Sequence, residues 1–319
     1  MSHLLRYTTQ VYRLALSLML VTIMIAMASC RKQEKVAASN EAQKTFASPQ
    51  EAGTALLEAA RSGNEALLIE IFGPNGKEIL FSGDPVKDNN ALQAFATAYQ
   101  MMNRWGKIKA GGQILYVGIE NFPFPIPLQQ NSSGQWYFNA EAGEDEILAR
   151  RIGKDELVAI AALGAIANAQ QQYFSHADNK VKQYAQRFVS DEGTHNGLYW
   201  PVAVGRAPSP IGQMGDFAKA AGYTKSGEKP QPFNGYYFRI LTKGAESGVG
   251  VKDYIVNGNM TGGFAILAYP AEYRNSGIMS FLIGKDGIVY QKDLGEGTAD
   301  RAVAITEYNP SDGWKPVNE

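Results

Sequence analysis

The chain holds one cysteine, Cys30, in 319 residues. No intramolecular disulfide can staple it, and no cysteine cluster can gather a metal around which it folds. Any fold must therefore be held by burial of apolar surface. Hydrophobic residues at 45% against 19% charged residues give a globular composition, not a disordered one. The length allows two domains of ordinary size. Net charge is −1, and no basic stripe recurs, so nucleic acid is excluded as a partner. The 33 glycines and the 16 tyrosines and 14 phenylalanines point to turns and sheet packing.

The position of Cys30 carries more than its number. Arg6 and Arg13 precede an apolar stretch from Leu14 to Ser29, which holds no charge. That is the plan of a secretory signal, and the stretch is shorter than the roughly 18 residues a permanent span needs. Met27-Ala28-Ser29-Cys30 resembles the lipobox of bacterial lipoproteins, with Met27 where that family usually has Leu. The resemblance implies a diacylglycerol on the Cys30 thiol and cleavage just before it. Residues 1–29 are thus expected to be a signal peptide and residues 30–45 a flexible tether, polar and without periodicity. The expected partner is a membrane, reached through lipid on Cys30. Localisation follows as the cell envelope, facing the periplasm or exterior. In a Gram-negative cell the lipoprotein resemblance implies the outer membrane, because Arg31 and not Asp follows the cysteine.

Residues 46–150 are expected to form an α+β domain. Ser48-Pro49-Gln50-Glu51 is a capping box with Pro at the first helical position, and Gly63 stops the helix. NEALLIEIFG predicts a second helix. ALQAFATAYQMMNRW predicts a third, with Leu92, Phe95, Ala96 and Tyr99 on one face. ILYVGIE and QWYFNAE predict strands, and the prolines of FPFPIPL place it at a sheet edge or in an extended arm that packs on its own domain or on a partner. The order is similar to cone-shaped folds that wrap a curved sheet around helices.

Residues 151–319 are expected to form a second α+β domain. A long helix from about 154 to 189 bends near Ser175–Asn179, its second piece placing Val181, Tyr184, Ala185 and Phe188 on one face. GYYFRIL, GGFAILAYP, GIMSFLI and IVYQKDL follow as an antiparallel meander, the last two joined by a hairpin through Asp286-Gly287. Thr298 is the expected cap of a short last helix. This half resembles the globular head of pilins and pseudopilins, in shape only. GTHNGLYWP, SPIG and NGNMTGGFAILAYPAEYRNSGIMSFLIGKDGIVYQKDLG, with FASPQEAGTALLEAARSGN near the start, resemble the bacterial family called domain of unknown function 2950. The resemblance spans nearly the whole chain from Phe46 and implies no reaction.

Chemistry is sparse. Ser190, Asp191, Glu192 and His195 lie on one short connection, with Gly193 and Gly197 bracketing Thr194-His195-Asn196, whereas a Ser-His-acid triad draws its members from separate elements. His195 reads as a turn residue. His176 and His195 lack metal-ligand spacing, Asp84, Asp88 and Asn89 lack the EF-hand spacing, and no glycine run opens a helix as a phosphate loop would. No cofactor and no catalytic residue are expected. The candidate ligand groove is aromatic: Tyr199, Trp200, Tyr236, Tyr237, Tyr269 and Tyr273 combine apolar area with polar tips, which suits a glycan or an envelope protein. The expected role is a non-enzymatic, lipid-anchored binding or assembly module. The rivals are a cell-wall or peptide hydrolase using His195 and Asp191, and a pilin-like self-associating subunit.

Overall fold

The computed structural model describes residues 43–74, 76–109, 111–175, 181–201, 208–212, 214–215, 232–246 and 250–317. Cys30, the leader before it and His176 lie outside these. The class is α+β, with helices packed on antiparallel sheets.

The first core forms where local signals are strong. Helix α1 (Pro49–Ser62) starts at Ser48, whose hydroxyl accepts from the Glu51 amide at 3.2 Å, and ends at Gly63 with φ 61°. Glu51 reaches back to the Ala47 amide at 2.9 Å, one residue beyond the box. Helix α2 (Glu65–Phe72) is capped by Asn64, and α3 (Gly76–Leu80) follows. Helix α4 (Pro85–Met101) begins earlier than its apolar stripe announces, because the Asp84 carboxylate accepts from the Lys87 amide and Pro85 pre-sets the first turn. It also ends before Trp105, which instead sits in β1 (Asn103–Lys107), paired antiparallel with β2 (Gln113–Val117). Strands β3 (Phe122–Pro123), β4 (Leu128–Gln130) and β5 (Trp136–Phe138) complete a sheet ordered β1-β2-β4-β5, with β3 on β2. Phe46, Leu56, Leu68, Phe72, Leu115, Ile126 and Phe138 fill the core between helices and sheet. The Phe-Pro run packs on its own core: Ile126 is fully buried, and the Phe124 ring lies 5.4 Å from Phe95.

One helix, α5 (Ala140–Ser175), runs for 36 residues, about 54 Å at 1.5 Å per residue. It crosses the boundary expected at 150/151. Asn139 caps its start by accepting from the Ala142 amide. Its first turns bury Ala140 and Gly143 with the first core, while Ala159, Leu163, Ile166 and Tyr173 belong to the second. Among the described residues, no helix is long and apolar enough to cross a membrane.

The expected helix over 181–189 does not form. The side-chain amide of buried Gln170 donates to the Ala185 carbonyl at 2.9 Å and accepts from its N–H at 2.8 Å, taking the place of helical partners. Tyr184 and Ala185 are buried as their apolar character requires, but from extended chain, with Tyr184 bridged to Met260 and Val189 to Tyr199. Val181 faces outward.

The second sheet has five strands that lie side by side in chain order, every neighbour antiparallel. It is the expected meander: β6 (Tyr236–Leu241), β11 (Ala265–Pro270), β12 (Met279–Gly284), β13 (Val289–Asp293) and β14 (Lys315–Pro316). Between β6 and β11 lie two small ladders, β7 (Lys243–Glu246) with β8 (Gly250–Asp253), and β9 (Ile255–Val256) with β10 (Asn259–Met260). Helix α5 covers one face, over Ile266, Ala268, Phe281 and Ile283. Helix α6 (Thr298–Ala304) covers the other, where Leu241, Leu267, Leu282 and Ala302 meet. With both faces covered, β11 reads as a continuous apolar run rather than an alternating one. The hairpin turns at Gly284–Gly287, with Gly287 at φ 75°. The cap of α6 is Gly297, at φ 77°, not Thr298, whose hydroxyl donates instead to the Gly295 carbonyl at 2.5 Å.

Gly143 is where α5 presses on the Phe-Pro run. A Cβ there would lie 2.8 Å from the Pro125 carbonyl oxygen and 2.9 Å from Ile126. Gly143→Ala is therefore expected to lower unfolding free energy by about 1–3 kcal/mol, measured by urea denaturation; a gain in stability, as from an ordinary helix Gly→Ala change, would show that the run does not pack there.

Candidate functional site at the junction of the two cores

The sequence-derived aromatic set does not form one groove. Strand alternation sends Tyr236 and Tyr237 to opposite faces of the sheet. Tyr236 is fully buried beneath α5, its hydroxyl donating to the Met279 carbonyl at 2.8 Å. Trp200 is buried in the same core, with Tyr199 packed at its margin. Tyr237 pairs with Tyr269 across the strands, ring centroids 5.6 Å apart, and Tyr269 packs in the core beneath α6. Tyr273 stands apart on the loop after β11, donating to Asp293 at 3.2 Å.

His195 and Asp191 do not meet as base and orienter. The His195 ring stacks on Trp200 at 4.4 Å. The Asp191 carboxylate accepts from Arg187, with both oxygens at 2.7 Å, and from Asn196 at 2.8 Å. Ser190 accepts from the Gly197 amide. These bonds tie a turn together. Asp84 caps α4, and Asp88 accepts from the Ser82 amide and hydroxyl, so neither is left aimed at a cation. Among the described residues, no group of three or more His, Cys, Asp and Glu is placed to hold a metal ion.

The chemistry that sequence reading missed lies midway along α5. Arg151, Asp155, Ala159 and Leu163 follow at intervals of four, so a charged pair shares the stripe that becomes the second core. That placement was the available signal. The Arg151 guanidinium donates to the carbonyls of Ile79 and Phe81 and to the Asn275 side chain. Asn275 in turn donates to Glu272 at 2.6 Å. Lys87 of α4 forms an ion pair with Asp155, which is only 1% exposed. One helical position on, Glu156 accepts from the amides of Ile278 and Met279 at 3.0 and 2.9 Å. The loop between β11 and β12 is thus tied to α5 and to the α3–α4 connection by charge-assisted bonds.

Burial governs the protonation of this cluster. It raises the Asp155 pKa to about 6, against the opposing pull of Lys87 and Arg151. It raises that of Asp88 despite bonds from Ser82, and it lowers that of Arg151 despite Asp88, Asp155 and Glu272.

Beside this junction opens a cleft of about 520 Å³. Its walls come from the segment around α3 (Lys77, Phe81), from α5 (Glu144, Leu148) and from the β11–β12 loop (Glu272 to Asn275). The loop is a tight turn: the Arg274 amide donates to the Gly277 carbonyl at 2.8 Å, and Arg274 itself sits at φ 65°. A left-handed backbone at an arginine is uncommon, and here the turn's own bonds and the Asn275 anchor impose it.

The profile of a family described as a protein of unknown function, DUF2950, matches residues 43–317. No curated protein matches the chain. No solved structure matches it.

Two outcomes test the junction. The folded Asp155 carboxyl holds its proton more tightly than the unfolded one, so its contribution to stability is full below about pH 4 and is lost as pH rises through about 6. The stability of Asp155→Asn relative to the parent should therefore rise by about 2–3 kcal/mol between pH 4 and pH 7, measured by denaturation at each pH; parallel curves would contradict the burial. Arg151→Met strands two carbonyls and Asn275, at an expected cost of about 3–5 kcal/mol, and limited proteolysis should then cut the loop over 271–278 first.

Proposed function

From a chain that belongs to the DUF2950 family, we propose a lipid-anchored cell-envelope protein that acts as a binding module, with the cleft beside α5 as its ligand seat. The observation that carries this reading is the cleft itself. Three segments distant in sequence converge on it, and one wall, the β11–β12 loop, is held by Arg151 and Glu156 before any ligand arrives. A pre-formed concave site of this size, with an apolar floor and a few polar groups, is what small-ligand binding requires. The anchor is supported by Met27-Ala28-Ser29-Cys30 and by the polar residues that follow. Acyl chains on Cys30 contribute about 0.8 kcal/mol per buried methylene, enough with two chains for stable attachment.

Binding rather than turnover is favoured because, among the described residues, no nucleophile–base pair lines the cleft. The hydrolase reading draws no support from His195, which stacks on Trp200, or from Asp191, which Arg187 and Asn196 hold.

Cells fed an alkyne-labelled fatty acid should label the parent and not Cys30→Ala. A photocrosslinking residue at Leu148, on the cleft wall, should give adducts in the envelope that are lost in the Cys30→Ala background. Equal adducts from Val303, exposed on α6, would sink the assignment of the cleft.

A further inference from the structure

Resting on the cleft as ligand seat, we infer that its ligand is a short peptide with both termini free, held as a zwitterion by Arg274 and Glu144. The cleft carries four charged side chains, and two of them are already engaged. Lys77 pairs with Glu65 at 3.0 Å, and Glu272 accepts from Asn275 at 2.6 Å. Arg274 and Glu144 differ. Among the described residues neither has an ion pair or a side-chain hydrogen bond, although both line the same cleft. Arg274 lies only against the Tyr273 ring, 5.6 Å from its centroid. Two opposite charges in one cleft that do not reach each other leave room for a ligand bearing both complements.

The surroundings narrow the class. Phe81, Leu148 and Tyr273 supply apolar surface around the charges. A phosphate dianion would meet Glu144 and Glu272 as well as Arg274, and a neutral sugar, although its hydroxyls hydrogen-bond to either side chain, offers neither a countercharge. Two carboxylates, one of them already accepting from Asn275, make no cation cage. An α-carboxylate suits the fork of a guanidinium, and an α-ammonium suits a carboxylate. The volume, about 520 Å³, falls in the range of roughly 300–1,000 Å³ that holds drug-sized ligands. A tri- or tetrapeptide fills it and a single amino acid does not. The strained φ of Arg274 fits this role, since a turn that imposes φ 65° holds the guanidinium's backbone in one place.

The test is calorimetric titration of the full lipidated chain in detergent micelles with tetra-alanine, free or blocked as the N-acetyl amide. The free peptide is expected to bind, and blocking both ends to weaken it roughly 10- to 100-fold. Arg274→Gln should erase the penalty of the C-terminal amide alone, and Glu144→Gln that of the N-acetyl group alone. Arg274→Lys should keep the amide penalty, which separates loss of charge from loss of the loop. Equal binding of free and blocked peptides would overturn the zwitterion while leaving the cleft as a seat. No binding of either would overturn the peptide class, and crosslinking at Leu148 would then report separately on the cleft.

Discussion

Everything in this fold is referred to α5. A helix shared end to end by two cores cannot let either core form with its own geometry, because the residues that bury Ala140 and Gly143 fix the rotation at which Leu163 and Ile166 must meet the sheet. Where the helix passes from one core to the other, the buried stripe turns polar. Asp155 and Arg151 lie at positions of this helix that are followed, at the same spacing, by the apolar Ala159 and Leu163. What the polar pair adds is direction. A guanidinium that must satisfy the carbonyls of Ile79 and Phe81 and the Asn275 side chain admits few relative placements of α3, α5 and the β11–β12 loop. Apolar contact would tolerate several.

The same step explains why a cleft lies there. Close packing would draw α3 and the β11–β12 loop together over the surface of α5. The bonds of Arg151 and Asn275 set a fixed spacing instead, and the space beside them stays open. Burial perturbs the protonation of Asp155, Asp88 and Arg151 because they do structural work away from water. Arg274 and Glu144, at the cleft itself, are exposed.

Much of the fold was legible because it is written locally. Ser48 and Gly63 bracket α1, and the Asp286-Gly287 turn and four apolar runs delimit the second sheet. The errors have local causes too. Tyr184 and Ala185 carry a helical spacing, yet a single buried amide, Gln170, claims the backbone of Ala185. The start of α5 was hidden because the apolar pattern sets in only at about 154, and the partners that bury Arg151 lie some seventy and more than a hundred residues away. The aromatic set was assembled by residue type, without the alternation that parts Tyr236 from Tyr237. The cleft could not be read at all, since residues 77–81, 144–148 and 272–275 share no pattern and meet only in the folded chain.

The last strand of the second sheet is two residues long, Lys315 and Pro316, and both are exposed. Pro316 has no N–H to offer, and a lysine beside it repels a like neighbour. A protein held by a lipid at one end is confined to two dimensions, where copies meet far more often than in solution. For such a molecule a long, flat sheet edge would be an open invitation to strand exchange. Under the proposed anchoring, a proline at that edge keeps neighbouring copies from joining there strand to strand.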